Sequence, residues 1–363
     1  MNVAILGYGV VGKSVYQIIK THFPDIKIKY VLVKSMTEGD IPEITTDFQK
    51  IINDSTVDVV LEMINGDNPA YHFITSALKS GKHVISSNKL TIASHLAEYV
   101  SLAQANQVQI KFEASVGGGI YWIQSLLRAI RIDQISEITG IMNGTSNYIL
   151  DNIKKQQAEF EVVLQKAIEL GYAEKDYSAD IDGYDVLSLE QPFVMGIRNI
   201  TLDIIQYLDL KGFNVKLIGS SYRKDNQYYM SVEPYAINKN LPLATVNDNN
   251  NLISLKGTTI GQLDFIGQGA GGNPTANAMV SDLLDISEKR YDNLLFNQKM
   301  IFNDELQLFE YYIFTTALNE FQEVAASIEQ NVVLTKPITE KQKNLLIKNS
   351  TDSKLFCAKI RWK

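Results

Sequence analysis

A doubly wound, mainly parallel α/β sheet followed by an α+β unit with a mainly antiparallel sheet is the architecture the sequence predicts, on three observations. Short β-branched runs alternate with helical periodicities through the first 115 residues. From about residue 116 the texture changes to Gly clusters, then helical stretches, then period-two alternation. A second Gly-rich, loop-to-helix segment at 266–290 returns to the first pattern. Alternating β and α segments read as a parallel sheet with crossover helices, and period-two segments as half-buried strands.

The length of 363 residues exceeds what one core usually serves, so the chain is expected to divide. The expected units are 1–115 with 266–290 returning, 116–265, and a small C-terminal appendix at 291–363. In the first, "VAILG" (3–7), "IKYVLV" (28–33), "VDVVLEMI" (57–64), "HVISS" (83–87) and "VQIKFEAS" (108–115) are near-continuous apolar runs, as strands covered on both faces must be. Between them "VYQIIKTHF" (15–23), "YHFITSALKSG" (71–81) and "IASHLAEYVSLAQANQ" (92–107) carry helical spacing. The second unit is expected to hold helices over 146–170 and 186–210, then the antiparallel strands "VKLIGSSYR" and "YYMSVEPYAI". In the tail, "ELQLFEYYIFTTA", "FQEVAASIEQN" and "KLFCAKIRWK" read as strand, helix and strand.

Composition narrows the function. A hydrophobic share of 45% with 21% charged residues is that of a globular protein, and a net charge of -7 without a basic patch argues against nucleic acid or an anionic membrane as partner. No apolar run approaches bilayer-spanning length. One cysteine, Cys357, excludes an internal disulfide, and the chain opens on a strand instead of a secretion signal, so a cytoplasmic location is expected.

"GYGVVG" places Gly7, Gly9 and Gly12 between the first strand and a helix opened by Val10 and Val11. In a Rossmann-type corner the first glycine makes the tight turn, the second admits a pyrophosphate, and the third lets helix and strand approach, with phosphates on the helix N-terminus. The alternative is a plain strand–turn–helix corner. After the second strand stand Lys34 and Ser35 rather than an acid, which favours a 2′-phosphate and hence NADP over NAD, unless Lys34 is simply a solvated lysine.

"GYGVVG", "VDVVLEMINGDNPAYHFITSALKSGKHVISSNK", "FEASVGGGI", "GIMNGTSNYIL", "GYAEKDYSADIDGYD" and "GQGAGGNPTANAMVSDL" follow one another in an order and spacing that resemble the homoserine dehydrogenase family, over roughly residues 1–290. The resemblance implies hydride transfer between NAD(P)H and the C4 carbonyl of aspartate semialdehyde, giving homoserine. It implies Lys89 and Asp185 as catalytic residues, and Glu174, Asp180, Asn143, Gly144 and Thr145 as lining the substrate pocket. A substrate carrying an α-ammonium group calls for carboxylates aimed at a cation, and Glu174 and Asp180 are the best candidates. Asp176 and Asp182 read as solvated loop acids. Asn88 and Ser87 are expected beside the nicotinamide ribose or ring, and Gly269 and Gly271 near the cofactor phosphates. Similar enzymes hold a monovalent cation, usually Na+, on carbonyls matching Glu113, Val116 and Gly118, although Gly117 to Gly119 also read as a close-packing turn. A homodimer through the strands of about 212–260 is implied.

Two positions depart from the family. Tyr121 replaces its usual proline. Leu189 stands four residues after Asp185, where a second lysine would act with the aspartate in proton transfer. Three explanations compete: Lys89 serves with a water, another small aldehyde or alcohol is the substrate, or only binding survives. A thioester-forming aldehyde dehydrogenase would need a central cysteine, and Cys357 is near the end. The tail is shorter than a full ACT domain, although "FEYYIFTTALNEFQEVAASIEQ" faintly resembles its first strand and helix.

Overall fold

The computed structural model describes residues 1–170, 172–173, 177–184, 193–291, 294 and 299–362. By contact the chain divides into residues 1–131 with 267–297, and residues 132–266 with 298–363. Residues 116–131 therefore go with the first unit, and the tail goes with the second.

In the first unit the strands are β1 (Asn2–Leu6), β2 (Lys27–Leu32), β3 (Ile44–Thr45), β4 (Val59–Glu62), β5 (His83–Ser86) and β6 (Ile110–Lys111), and the helices α1 (Val10–His22), α2 (Phe48–Asn53), α3 (Ala70–Lys79), α4 (Lys89–Ala105) and α5 (Ile123–Ala129). A returning helix, Gly272–Ser287, belongs to the same unit. The sheet order is β3-β2-β1-β4-β5-β6 and its pairs are parallel. The order reverses between β1 and β4, so a crevice opens at the carboxyl ends of those two strands, where α/β sheets bind ligands. All four residues of β4 are buried, which is why this stretch shows no alternation. Helix α1 buries Gly12, Val15 and Ile19, one face at helical spacing. Asp47 caps α2 and Asn88 caps α4, each accepting from two backbone N–H groups.

The second unit is a mixed sheet flanked by helices. Its elements are β7 (Ile135–Ile141), α6 (Gly144–Gln156), α7 (Phe160–Glu169), α8 (Ser178–Asp182), β8 (Phe193–Val194), α9 (Leu202–Leu210), β9 (Phe213–Lys224), β10 (Gln227–Asn238), β11 (Asn250–Gly257) and β12 (Gly261–Gln268). The tail adds β13 (Ile301–Phe302), β14 (Leu308–Phe309), β15 (Tyr311–Phe314), β16 (Ala325–Glu329), β17 (Val332–Thr335), β18 (Ile338–Thr339), a helix at Glu340–Asn349 and β19 (Phe356–Arg361). The path β12-β11-β7-β9-β10-β19-β15-β17-β16 runs through one sheet, with β8 and β13 also on β10. The tail strands β13, β15, β16, β17 and β19 thus continue the sheet of the second unit, with β19 parallel to β10, while β14 and β18 pair as a separate two-stranded sheet. Helices α6, α7 and α9 bury their apolar faces on one core with β9 and β10, through Ile149, Ile153, Val163, Leu208 and Leu217.

Three expectations need correction. The helix over 146–170 is two helices, because Gln157 takes a left-handed conformation (φ 49°) and ends α6. The helix over 186–210 holds only over Leu202–Leu210 in its described part: Phe193 and Val194 pair with Ser231 and Val232 of β10, and α9 starts only after its cap, Thr201. In "FQEVAASIEQN" the segment Ala325–Glu329 is β16, turned by Gln330 (φ 51°) into a hairpin with β17. Strand pairing overrides its weak helical periodicity. The tail helix lies later, where Thr339 and Gln342 form a capping box.

Candidate active site

The glycines of "GYGVVG" play separable parts. Gly7 has φ +99°, and a Cβ at Gly12 would lie 2.1 Å from the Gly7 carbonyl oxygen, so these two shape the corner itself. A Cβ at Gly9 would meet nothing within 4 Å. Gly9 caps α1 without a side-chain hydrogen bond, the first turn holds no acid, and Val10 is exposed. Open space beside uncapped N–H groups at a helix start is a cradle for a diphosphate, so these residues fit a nicotinamide dinucleotide. The returning helix starts at Gly271 (φ +117°), and a Cβ on Gly272 would lie 2.8 Å from a Val10 side-chain carbon. Gly271 is thereby brought to the opening of α1. Val11, behind Val10, packs against the core under β1. Lys34 is exposed just past β2.

At the end of β4 the structure supplies a residue the sequence reading missed. Glu62 is fully buried, its carboxyl accepting from the Ser86 hydroxyl (2.6 Å) and the Ile64 N–H (2.7 Å). Burial outweighs both hydrogen bonds and pushes its pKa up to about 7. Ser86 in turn accepts from the Asn88 N–H (3.1 Å), and the Asn88 amide donates to the carbonyls of Ile64 (2.7 Å) and Gly66 (2.6 Å) while capping α4. Ser87 N–H donates to the Glu62 carbonyl (3.1 Å). Lys89, exposed at the first position of α4, is therefore held at its backbone by a network running from Glu62 through Ser86 to Asn88.

The loop after β6 is tightly committed. Glu113 is buried, and its carboxylate accepts from the N–H groups of Ile123 and Gln124 (both 2.9 Å) at the start of α5. The Glu113 N–H donates to Asp282 (3.0 Å), a buried acid whose pKa burial pushes up to about 8. The Val116 carbonyl accepts from the Trp122 indole (2.9 Å), leaving it one lone pair for a cation. Gly118 has φ +54°, and a Cβ there would lie 2.4 Å from the Gly269 carbonyl oxygen. Close packing thus accounts for Gly118 and Gly269 without an ion. Tyr121, in place of proline, hydrogen-bonds through its hydroxyl to Asn277.

In the second unit, Asn143 and Asp180 meet: the Asn143 amide donates to the Asp180 carboxylate at 2.6 Å while its oxygen caps α6 through the Ser146 N–H. Gly144 opens the helix, and the Thr145 hydroxyl donates to the Tyr172 carbonyl (2.6 Å). Residues 143–146 are thereby tied to Tyr172 and Asp180. Asp182 is not merely solvated, since Arg198 forms a two-pronged pair with it at 2.8 and 2.9 Å. Glu174, Asp176, Asp185 and Leu189 lie outside the described residues.

The model of the homoserine dehydrogenase NAD-binding domain matches residues 7–113, and that of homoserine dehydrogenase matches 122–189 and 186–284. The chain belongs to the homoserine dehydrogenase family. It is 35% identical over 314 residues to the homoserine dehydrogenase of Bacillus subtilis, covering 79% of this chain and 72% of that one. A solved homoserine dehydrogenase from Thiobacillus denitrificans superposes with a TM-score of 0.89 at 26% identity, over 99% of this chain and 98% of its own. The Staphylococcus aureus homoserine dehydrogenase follows at 0.80 and 29%, over 100% and 99%. As a member of the homoserine dehydrogenase family the chain is an NAD(P)-dependent oxidoreductase acting on a small molecule. These two superpositions cover 99% and 100% of this chain and so include its tail.

Proposed function

We propose that this protein interconverts aspartate semialdehyde and homoserine with NADP(H) preferred over NAD(H). The observation that carries the substrate reading is the Asn143–Asp180 contact, which fixes a carboxylate beside the start of α6. A carboxylate oriented by an amide hydrogen bond is preorganised to receive an ammonium group. Asp180, Glu174 and Asp185 orient the substrate through that group, while Gly144 and Thr145 shape the pocket wall. A bound nicotinamide cofactor supplies the hydride. Lys89 gives a proton to the C4 oxygen as the aldehyde becomes an alcohol, and Asn88 fixes the helix start that carries it. Lys34 favours the 2′-phosphate, and the absence of an acid from 33–35 supports this choice.

The reading extends to Na+ on the carbonyls of Glu113, Val116 and Gly118, to a cytoplasmic location, and to a homodimer. Ile266 of β12, exposed at 61% on the last strand of the sheet path, supports association. No helix among the described residues is long and apolar enough to cross a membrane.

Leu189 favours a second reading, in which homoserine chemistry is lost. The test is an assay at 340 nm with homoserine and NAD or NADP, run beside Leu189→Lys. Turnover by the unaltered protein is expected, with Lys89→Met lowering kcat by about 10² to 10⁴. Activity confined to Leu189→Lys would establish the second reading instead.

A further inference from the structure

Lined by none of the residues assigned to the active site, a partly open cavity of about 310 Å³ lies between helices α6 and α9, strand β9 and Asn247. Its wall joins apolar Leu150, Ile205 and Phe213 to cationic Lys154, Lys155 and Lys216. Lys216 is only 3% exposed. Its ammonium donates to the Asn147 side-chain oxygen (2.8 Å) and the Val246 carbonyl (2.5 Å), both neutral acceptors. Among the described residues it forms no ion pair, and its third N–H has no acceptor.

The surrounding acids are engaged elsewhere. Lys155 bridges Asp151 (2.7 Å) and Asp248 (3.1 Å), while Asp209 is paired by Lys154 and by Lys239. Four ammonium groups thus face three carboxylates, and the one left over is the most buried. A buried cation without a counter-ion is unfavourable unless an anion reaches it or it loses its proton. Burial pushes the Lys216 pKa down to about 8, with Asp151 and Asp248 pulling it the other way without pairing to it, so the charged form is favoured at neutral pH.

We propose that this cavity binds a small carboxylate with a short apolar body, its head on Lys216 and its body against Leu150, Ile205 and Phe213. The mixed wall selects this class over a bare anion. A phosphate would satisfy Lys216 but gain nothing from the apolar part of the wall, which is small because Leu150, Ile205 and Phe213 are themselves nearly buried.

The test is saturation-transfer NMR of butyrate against the full-length protein, with ionic strength held by NaCl and inorganic phosphate as competitor. Saturable butyrate binding is expected, weakened about tenfold or more in Lys216→Met, because a charge-assisted hydrogen bond is lost. Asn247→Trp, which fills the exposed rim next to the Val246 carbonyl that Lys216 uses, is expected to abolish the signal. Equal binding in all three proteins, or no saturable binding by the unaltered one, overturns the site. Displacement by phosphate at equal concentration overturns the apolar selectivity. None of these readouts depends on turnover, so the outcome is separable from that of the proposed function.

Discussion

Buried carboxyl groups in the two units answer the same low dielectric in opposite ways. In the first unit Glu62 is held by a hydroxyl and an N–H, and Asp282 by the Glu113 N–H with Lys111 acting through its field, and burial raises both. In the second, Glu233 and Glu340 are crossed with Lys343 and Lys359, all four nearly inaccessible. Lys343 reaches Glu233 at 2.7 Å and Glu340 at 3.0 Å, and Lys359 reaches Glu233 at 2.6 Å and also touches Glu340. Burial alone would raise Glu340, but the two ammonium groups outweigh it and hold it well below the usual carboxylate range. Aromatic rings close the cluster, with Phe193 3.6 Å from the Lys343 ammonium and Phe309 4.3 Å from that of Lys359. The lesson is that neutral donors let a buried acid take a proton near neutrality, whereas a matched set of charges keeps it ionised.

The comparison breaks most visibly if one charge is removed from the quartet. Lys359→Met strands two carboxylates against one ammonium, and loss of one partner of a buried pair costs about 3–5 kcal/mol. Urea denaturation of the unit that carries β10, β19 and the tail helix should show that loss. A loss below about 1 kcal/mol would mean the cluster is hydrated and the contrast between the units is false.

A pH series sharpens the same contrast from the other side. Glu62 has a folded pKa raised to about 7 from 4.5, so its contribution is fully present below the unfolded value and is lost as pH rises through the folded one. That amounts to roughly 3 kcal/mol between pH 4.5 and 8. Asp282, raised from 3.8 to about 8, acts in the same direction. Glu340, held low, contributes no slope in that window, because its share is lost only in acid. Glu62→Gln keeps the size of the side chain and cannot ionise, so it should lessen the fall in stability between pH 5 and 8, leaving the part that Asp282 contributes. An unchanged slope would show that Glu62 is already ionised at both ends.

This contrast was not legible in the sequence, although the frame that carries it largely was. The β1–α1 corner, the strand alternation and the start of α4 at Lys89 follow from local pattern and local capping, which is why they could be read. Glu62 ends an apolar run in "VVLE" and looks like a solvated strand end until Ser86, 24 residues on, closes over it. Glu233 sits in an alternating strand, and its partner Lys343 is 110 residues away. Charges that are satisfied only by distant partners leave no periodic trace. The tail helix did leave one, the "TEKQ" capping box, whereas "FQEVAASIEQN" carried enough helical spacing to mislead until the hairpin with β17 claimed it. In the substrate region the motif around Asn143 was readable as a cap, and the structure adds that the same side chain holds Asp180.

The smallest expected change in stability tests whether Gly9 serves a ligand rather than the fold. Gly9 has φ −77°, which alanine adopts freely, and its Cβ would have no neighbour. Gly-to-Ala at a compatible position stabilises by about 0.4–1 kcal/mol through the unfolded chain, but alanine is a poorer helix cap than glycine by a similar amount. The two effects offset, so Gly9→Ala should unfold with a midpoint close to that of the unaltered protein. Gly12→Ala cannot do so, because its methyl would sit against the Gly7 carbonyl. If the space beside Gly9 is where a diphosphate lies against the N–H groups of α1, the same methyl that the fold ignores should weaken NADPH binding about tenfold in a fluorescence titration. Undiminished affinity with an unchanged midpoint would place the phosphates elsewhere along the crevice between β1 and β4.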